Sequence, residues 1–276
     1  MFNPDLYFHD NTPWFYPDHI SFTKKIEIYL NTVTIKDSTL PKVLCIISEP
    51  KFIRPLAENE DVIASQYKFN IILTHDADIL ANCSNSIFMP YGTTWINKED
   101  QHGNMEKVFG TSFLCGLKAM LYGHLMRHEI WKRQNEFTTP IVFWNSSSQP
   151  MPDADLNPIL GYNFGEKLKL MKQQFHICVE NCRLINYFTE KIIDCFITKT
   201  IPVYCGCPNI DNFFNVKGMI LFDSVNELIT KVNSFTPDTY KKMKPFIIEN
   251  YKLSQQYCEP IAKRIEKSIS KNMQRI

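Results

Sequence analysis

Between residues 175 and 213 the chain gathers side chains that could act on an anionic ligand. An apolar run, Phe175–Val179, ends in Glu180 and Asn181. Tyr187, Thr189, Glu190 and Lys191 follow, then an apolar helical face through Ile192, Ile193, Phe196 and Ile197. A second apolar run, Ile201–Tyr204, is closed by Gly206. Thr189 is placed to cap the helix, its hydroxyl accepting from backbone N–H groups. Glu190 suits the positive end of the helix dipole, whereas Lys191 does not. A lysine there makes sense if an anion docks on the same N-terminus. A carboxylate, an amide, a phenol and a lysine are thus collected at a sheet end, a set able to hold a sugar joined to a diphosphate. The same residues also read as an ordinary capped helix with a solvated Glu-Lys pair, and spacing alone does not choose between the two.

These groups need elements to position them. Apolar, β-branched runs predict strands over Lys42–Ile47, Asn70–Thr74, Thr111–Cys115, Ile141–Trp144, Phe175–Val179, Ile201–Tyr204 and Met219–Phe222. Helical spacing predicts helices over Tyr122–Gln134, Phe164–Lys172, Phe188–Thr198, Val225–Asn233 and Asp238–Ile247, with a last one from Leu253 to Asn272. Such alternation indicates an α/β chain with mainly parallel sheets. Sites in these sheets face the carboxyl ends of the strands. The polar stretch Asn97–Glu106 predicts a boundary. It separates an N-terminal acceptor-binding α/β domain, 1–100, from a C-terminal nucleotide-binding domain, 101–276, with the last helix able to pack back on the first.

Composition narrows the classes. The 276 residues carry 30 Lys and Arg against 29 Asp and Glu, a net charge of +1, so no basic nucleic-acid footprint is present. No apolar run approaches the roughly 18 residues of a membrane span. The nine glycines form neither G-x-G-x-x-G nor G-x-x-x-x-G-K-[ST], which removes the main support for dinucleotide-fingerprint and P-loop sites. The nine cysteines are odd in number and mostly lie in apolar segments, as expected of reduced, buried thiols.

The segment resembles the signature of the α1,3/4-fucosyltransferases, glycosyltransferase family 10. It matches without a gap at Glu180, Asn181, Tyr187, Thr189, Glu190, Lys191, Pro202, Tyr204 and Gly206. It departs at Val179, where Phe is usual, and at Cys182, where Ser or Thr is usual. Ser112–Lys118 with Gly123–Arg127 resembles the family stretch that supplies a phosphate-binding arginine. Ile47–Pro50 resembles the strand end that holds the family's catalytic carboxylate. The resemblance implies a GT-B type α/β fold, two Rossmann-like domains facing a central cleft. It implies an inverting enzyme that needs no metal or other cofactor and takes GDP-fucose as donor substrate. Glu49 would then be the base that deprotonates the acceptor hydroxyl. Arg127 and Lys191 would stabilise the leaving diphosphate. Asn181 and Tyr187 would orient the donor, Glu190 would stabilise the cationic sugar, and Glu180 would support the loop. Thr189 and Lys118 complete the donor-binding set. The implied partners are a nucleotide-sugar donor and an oligosaccharide or glycoconjugate acceptor, with no nucleic acid. With neither a signal peptide nor a membrane span in view, the expected setting is a microbial or virus-infected cytoplasm. Peripheral membrane contact through the basic C-terminal helix (Lys263, Arg264, Lys267, Lys271, Arg275) is an alternative.

Rival constellations exist. Asp76-Ala77-Asp78 follows an apolar strand, the form of the metal site in GT-A transferases. Its other reading is a polar turn capping a short helix at Ile79–Ala81. A second such pair, Asp153 and Asp155, lies in a Pro-rich loop. His124 and His128 are spaced to share a metal on one helix face. The aromatic stretch Phe2–Tyr16 could stack on a glycan. A metal-dependent GT-A transferase and a non-catalytic glycan-binding protein of the same fold therefore stand as alternatives.

Overall fold

The computed structural model describes residues 6–8, 26–47, 59–147, 149, 151 and 167–276. Among the described residues, ten strands form two five-stranded sheets in which every pairing is parallel. The first contains β1 (Leu6–Phe8), β2 (Ile26–Leu30), β3 (Lys42–Ile46), β4 (Ile71–Thr74) and β5 (Ser86–Phe88), adjacent in chain order. The second holds β6 (Val108–Cys115), β7 (Ile141–Asn145), β8 (Gln173–Val179), β9 (Ile201–Cys205) and β10 (Ile220–Leu221), in the spatial order β10-β9-β8-β6-β7. The helices are α1 (Asn59–Ser65), α2 (Ala77–Asn82), α3 (Tyr122–Lys132), α4 (Lys167–Leu170), α5 (Glu190–Ile197), α6 (Val225–Asn233), α7 (Pro237–Ser254) and α8 (Ile261–Lys271).

The chain divides into two compact units. One comprises Met1–Tyr91, Ile185–Tyr187 and Glu259–Ile276; the other comprises Gly92–Leu184 and Phe188–Cys258. In the first, alternate strand residues serve opposite faces of the sheet, as the two-residue period requires. Ile26, Ile28, Val43, Cys45, Ile71 and Leu73 pack with Ala262, Ile265 and Ile269 of α8. Tyr29, Leu44 and Ile72 pack with Val62 of α1 and Ile79 of α2 on the other face. In the second unit, Phe113, Phe143, Phe175, Ile177 and Val203 of the sheet share one core with Ile192, Ile193 and Phe196 of α5.

The sheets are parallel and the order of elements is α/β, as expected. Several bounds differ. The sequence-based reading omits β2 because Glu27 interrupts its apolar run. In the fold that carboxylate is buried and accepts from the Tyr29 hydroxyl at 2.8 Å. The helix expected over Asp238–Ile247 contains Pro245, as expected, but runs on to Ser254. The helix expected from Leu253 starts at Ile261 instead, after Pro260. A proline has no N–H to give a preceding turn but is well suited to open a helix. The helix expected over Phe164–Lys172 is described at Lys167–Leu170. Among the described residues, no helix is long and apolar enough to cross a membrane.

Candidate active site

The second sheet reverses direction once. The chain leaves β6 for β7 on one side, then returns to lay β8 on the other side of β6. The crevice outside the carboxyl ends of β6 and β8 is therefore a topological switch point, the usual ligand position in such sheets. Helix α3 follows β6, and α5 follows β8. Arg127 reaches across from α3: Nη1 donates to the Val179 carbonyl at 2.5 Å and Nη2 to Asn181 Oδ1 at 2.8 Å. Gly123 permits this approach. Its N–H donates to the Asn181 carbonyl at 3.1 Å, and a Cβ at 123 would overlap the Glu180 carbonyl group.

The turn from β8 into α5 is fixed by a carboxylate. Glu180 Oε1 accepts from the Thr189 N–H and Oε2 from the Thr189 hydroxyl, each at 2.8 Å. Thr189 caps α5, its Oγ1 accepting from the Lys191 N–H at 3.3 Å and from Lys191 Nζ at 3.1 Å. Lys191 Nζ lies 3.5 Å from Glu180 Oε2 and 3.5 Å from Glu190 Oε1. Lys167 Nζ is also 3.5 Å from Glu190 Oε1 and donates to Asp194 Oδ2 at 2.7 Å. Gly206 closes the base of the site, since a Cβ there would overlap Glu180 and Tyr204.

Charge in this region is strongly organised. Burial alone would raise the Glu190 carboxyl, but Lys191 and Lys167 reverse that and bring it down to about 2. Burial opposes the charge of Lys191, yet Glu190 and Glu180 hold its pKa above that of an ordinary lysine. His124, in the first turn of α3, is pushed down to about 4 by burial and by the charges of Arg127, Lys118, Lys191 and His128. Arg127 and Lys191, together with the N–H groups at the start of α5, offer a set of donors that can bind a multiply charged anion such as a diphosphate.

Glu180, Asn181, Thr189, Glu190, Lys191 and Arg127 thus come together, with Lys118 exposed on the loop after β6. Tyr187 is buried, with its ring centroid 6.0 Å from Tyr91 and 5.7 Å from His75. Glu49, Asp153 and Asp155, and the stretch Phe2–Tyr16 except for residues 6–8, lie outside the described residues. Asp76 caps α2, its Oδ1 accepting from the N–H groups of Asp78 and Ile79 and from the Asn59 amide. The His124 ring accepts from the Leu121 N–H at 3.2 Å, and His128 Nε2 bonds the Gly116 carbonyl at 2.8 Å. Sequence reasoning missed Lys167, Asp194 and the supporting Gly123. Asp194 is one helical turn beyond Glu190 and could have been found by its i, i+4 spacing. Lys167 is 23 residues upstream of Glu190, and no spacing rule links them.

The two parallel sheets and this switch-point site define an α/β fold of the GT-B glycosyltransferase type. The structure is similar to that of HepE from Anabaena, solved with UDP-glucose, with a TM-score of 0.58, 9% identity, and 91% of this chain and 79% of that one covered. Within that class the chain is fucosyltransferase-like. It is similar to an α1,3-fucosyltransferase solved with GDP-fucose, with a TM-score of 0.50, 17% identity, and 85% of this chain and 71% of that one covered. In sequence it is 42% identical over 62 residues to the α-(1,3)-fucosyltransferase FucT of Helicobacter pylori. That match spans 22% of this chain and 13% of the relative's length. No protein-family model matches the chain.

Proposed function

We propose that this protein is an inverting, metal-independent glycosyltransferase that moves fucose, or a related sugar, from a GDP-sugar to a hydroxyl of a glycan or glycoconjugate. The observation that carries this reading is the meeting of Arg127 and Lys191 at the Glu180–Asn181 turn, beside the N-terminus of α5. In this reading the acceptor hydroxyl attacks C1 of the donor sugar while the nucleoside diphosphate leaves. Glu49, which follows β3 in sequence, takes the hydroxyl proton. Arg127, Lys191 and the helix N–H groups take up the charge gained by the leaving diphosphate. Two of the five N–H donors of Arg127 hold Val179 and Asn181, and the others serve the phosphates. Glu190 is not a proton carrier, because a carboxyl brought down to about 2 stays ionised at neutral pH. Its charge is suited to stabilising the cationic sugar or binding a donor hydroxyl. Tyr187 and Lys118 complete the proposed donor-binding set.

The test is a donor screen by thermal shift and turnover with GDP-fucose, GDP-mannose, UDP-glucose and dTDP-rhamnose. The UDP-sugar arm is warranted by the likeness to a protein solved with UDP-glucose. A shift and turnover with a GDP-sugar that persist in EDTA are expected. Turnover abolished by EDTA and restored by Mn2+ would transfer the role to Asp76 and Asp78. A folded Glu190→Ala variant with full donor turnover would remove this site from the reaction. A shift with oligosaccharide and with no nucleotide would leave a glycan-binding protein.

A further inference from the structure

Glu190 has two lysine neighbours at equal distance, but they are held differently. Lys191 Nζ is shared among Glu190, Glu180 and Thr189 at the N-terminus of α5. Lys167 is fixed by partners of its own. Its ammonium donates to Asp194 Oδ2 at 2.7 Å and lies 4.2 Å over the Trp95 ring. Asp194 is held in turn, with Oδ1 accepting from the Thr94 hydroxyl at 2.7 Å and from the Trp95 N–H at 2.8 Å. The Asp194 side chain is 0% exposed and that of Lys167 is 13% exposed. A carboxylate so deep is costly to bury unless it is paired and hydrogen-bonded, and here its partners are Lys167 itself and the Thr94–Trp95 segment that lays the indole ring on that lysine.

The charged groups around Glu190 come from four elements. Arg127 comes from α3, Glu180 from the end of β8, Lys191 and Asp194 from α5, and Lys167 from α4. A bound diphosphate would bring further negative charge and draw on Lys191 and Arg127. Both effects push a neighbouring carboxyl upward. Lys167 lies outside that competition.

We propose that Lys167 is a positioning residue for sugar transfer: locked by Asp194 and Trp95, it is the standing counter-ion that keeps the Glu190 carboxylate ionised and aimed while Lys191 is shared with the donor phosphates. The role in transfer rests on the donor-site reading above; the pairing itself does not.

The experiment follows the Glu190 side-chain carboxyl through a pH titration by 13C NMR, its signal assigned with Glu190→Gln. Donor turnover and GDP affinity are measured in parallel. In Lys167→Met the titration should move up by about one pH unit or more, whereas Lys167→Arg, which keeps the charge, should stay near wild type. The kcat should fall roughly tenfold or more while GDP affinity changes little. Lys167→Met should add less than about twofold in a Glu190→Gln background, since it acts through Glu190. Lys167→Gln, which removes the charge but keeps a polar side chain, is the second variant should Lys167→Met fail to fold, and should shift the titration in the same direction. An unmoved Glu190 titration in folded Lys167→Met or Lys167→Gln overturns the proposal. So does an equal loss of activity with and without Glu190. If the wild-type chain turns over no nucleotide sugar, the donor-site reading fails, and the titration still decides whether Lys167 governs Glu190.

Discussion

Glu180 engages Thr189 with both carboxylate oxygens, one on its N–H and one on its hydroxyl, each at 2.8 Å. The pair ties the end of β8 to the cap of α5, so the strand end and the helix N-terminus are held as one piece. Lys191, 3.5 Å from the same carboxylate, is oriented by this pair as well as paired with it.

Glu180→Gln should destabilise the protein. The amide offers one oxygen, and its NH2 must face a donor where the second oxygen had accepted. An imperfectly matched buried donor costs about 1–3 kcal/mol. The urea midpoint should fall accordingly, and GDP binding should weaken because Lys191 loses its anchor. A midpoint equal to wild type would show that Glu180 does not fix the turn.

Gly123→Ala should do more damage than most Gly→Ala changes. The added methyl overlaps the Glu180 carbonyl group, and backbone cannot rotate away as a side chain can. The start of α3 must shift, at a cost of about 1–3 kcal/mol, carrying Arg127 with it. Loss of both thermal stability and GDP affinity is expected. An alanine variant that binds GDP normally would refute the close approach.

Arg127→Lys keeps the charge but loses the fork that reaches Val179 and Asn181 together. Such a substitution is not conservative at a bidentate site. GDP affinity should drop by roughly tenfold, about 1.4 kcal/mol, measured by calorimetry. Undiminished affinity would show that charge alone suffices at this position.

Stability should decline in mild acid. Burial pushes His176 down to about 3 and His75 down to about 4. In the unfolded chain both return to about 6.5. The unfolded state therefore binds more protons below that value. The stability these neutral histidines contribute is complete above about pH 6.5 and is lost as pH falls toward their folded values. Each contributes a slope of about 1.4 kcal/mol per pH unit within that window. One histidine lies in each unit, so both units should weaken. Glu190, depressed to about 2, adds to the loss only below about pH 4.3. Urea midpoints at pH 7, 6 and 5 should fall in order; a flat series would mean that these rings are solvated.

The α/β order, the parallel sheets and the capped helix at Thr189 were all legible in the chain, because they depend on local periodicity and on a cap that reads its own neighbours. The run from Glu180 to Lys191 was legible for the same reason, since its members lie within one strand-turn-helix. Three features were not. Glu27 hid β2 until Tyr29 was seen to accommodate its carboxylate. The surroundings of the Tyr187 ring, buried beside Tyr91 and His75, come from segments about a hundred residues away in sequence. Lys167 gave no signal, because its meaning depends on Asp194, Trp95 and Glu190 arriving from separate elements. Sequence by itself determined which residue types were available at the turn and which elements would carry them. Tertiary structure decided their protonation and their partners, since burial and the placement of charge from distant elements are properties of the folded chain.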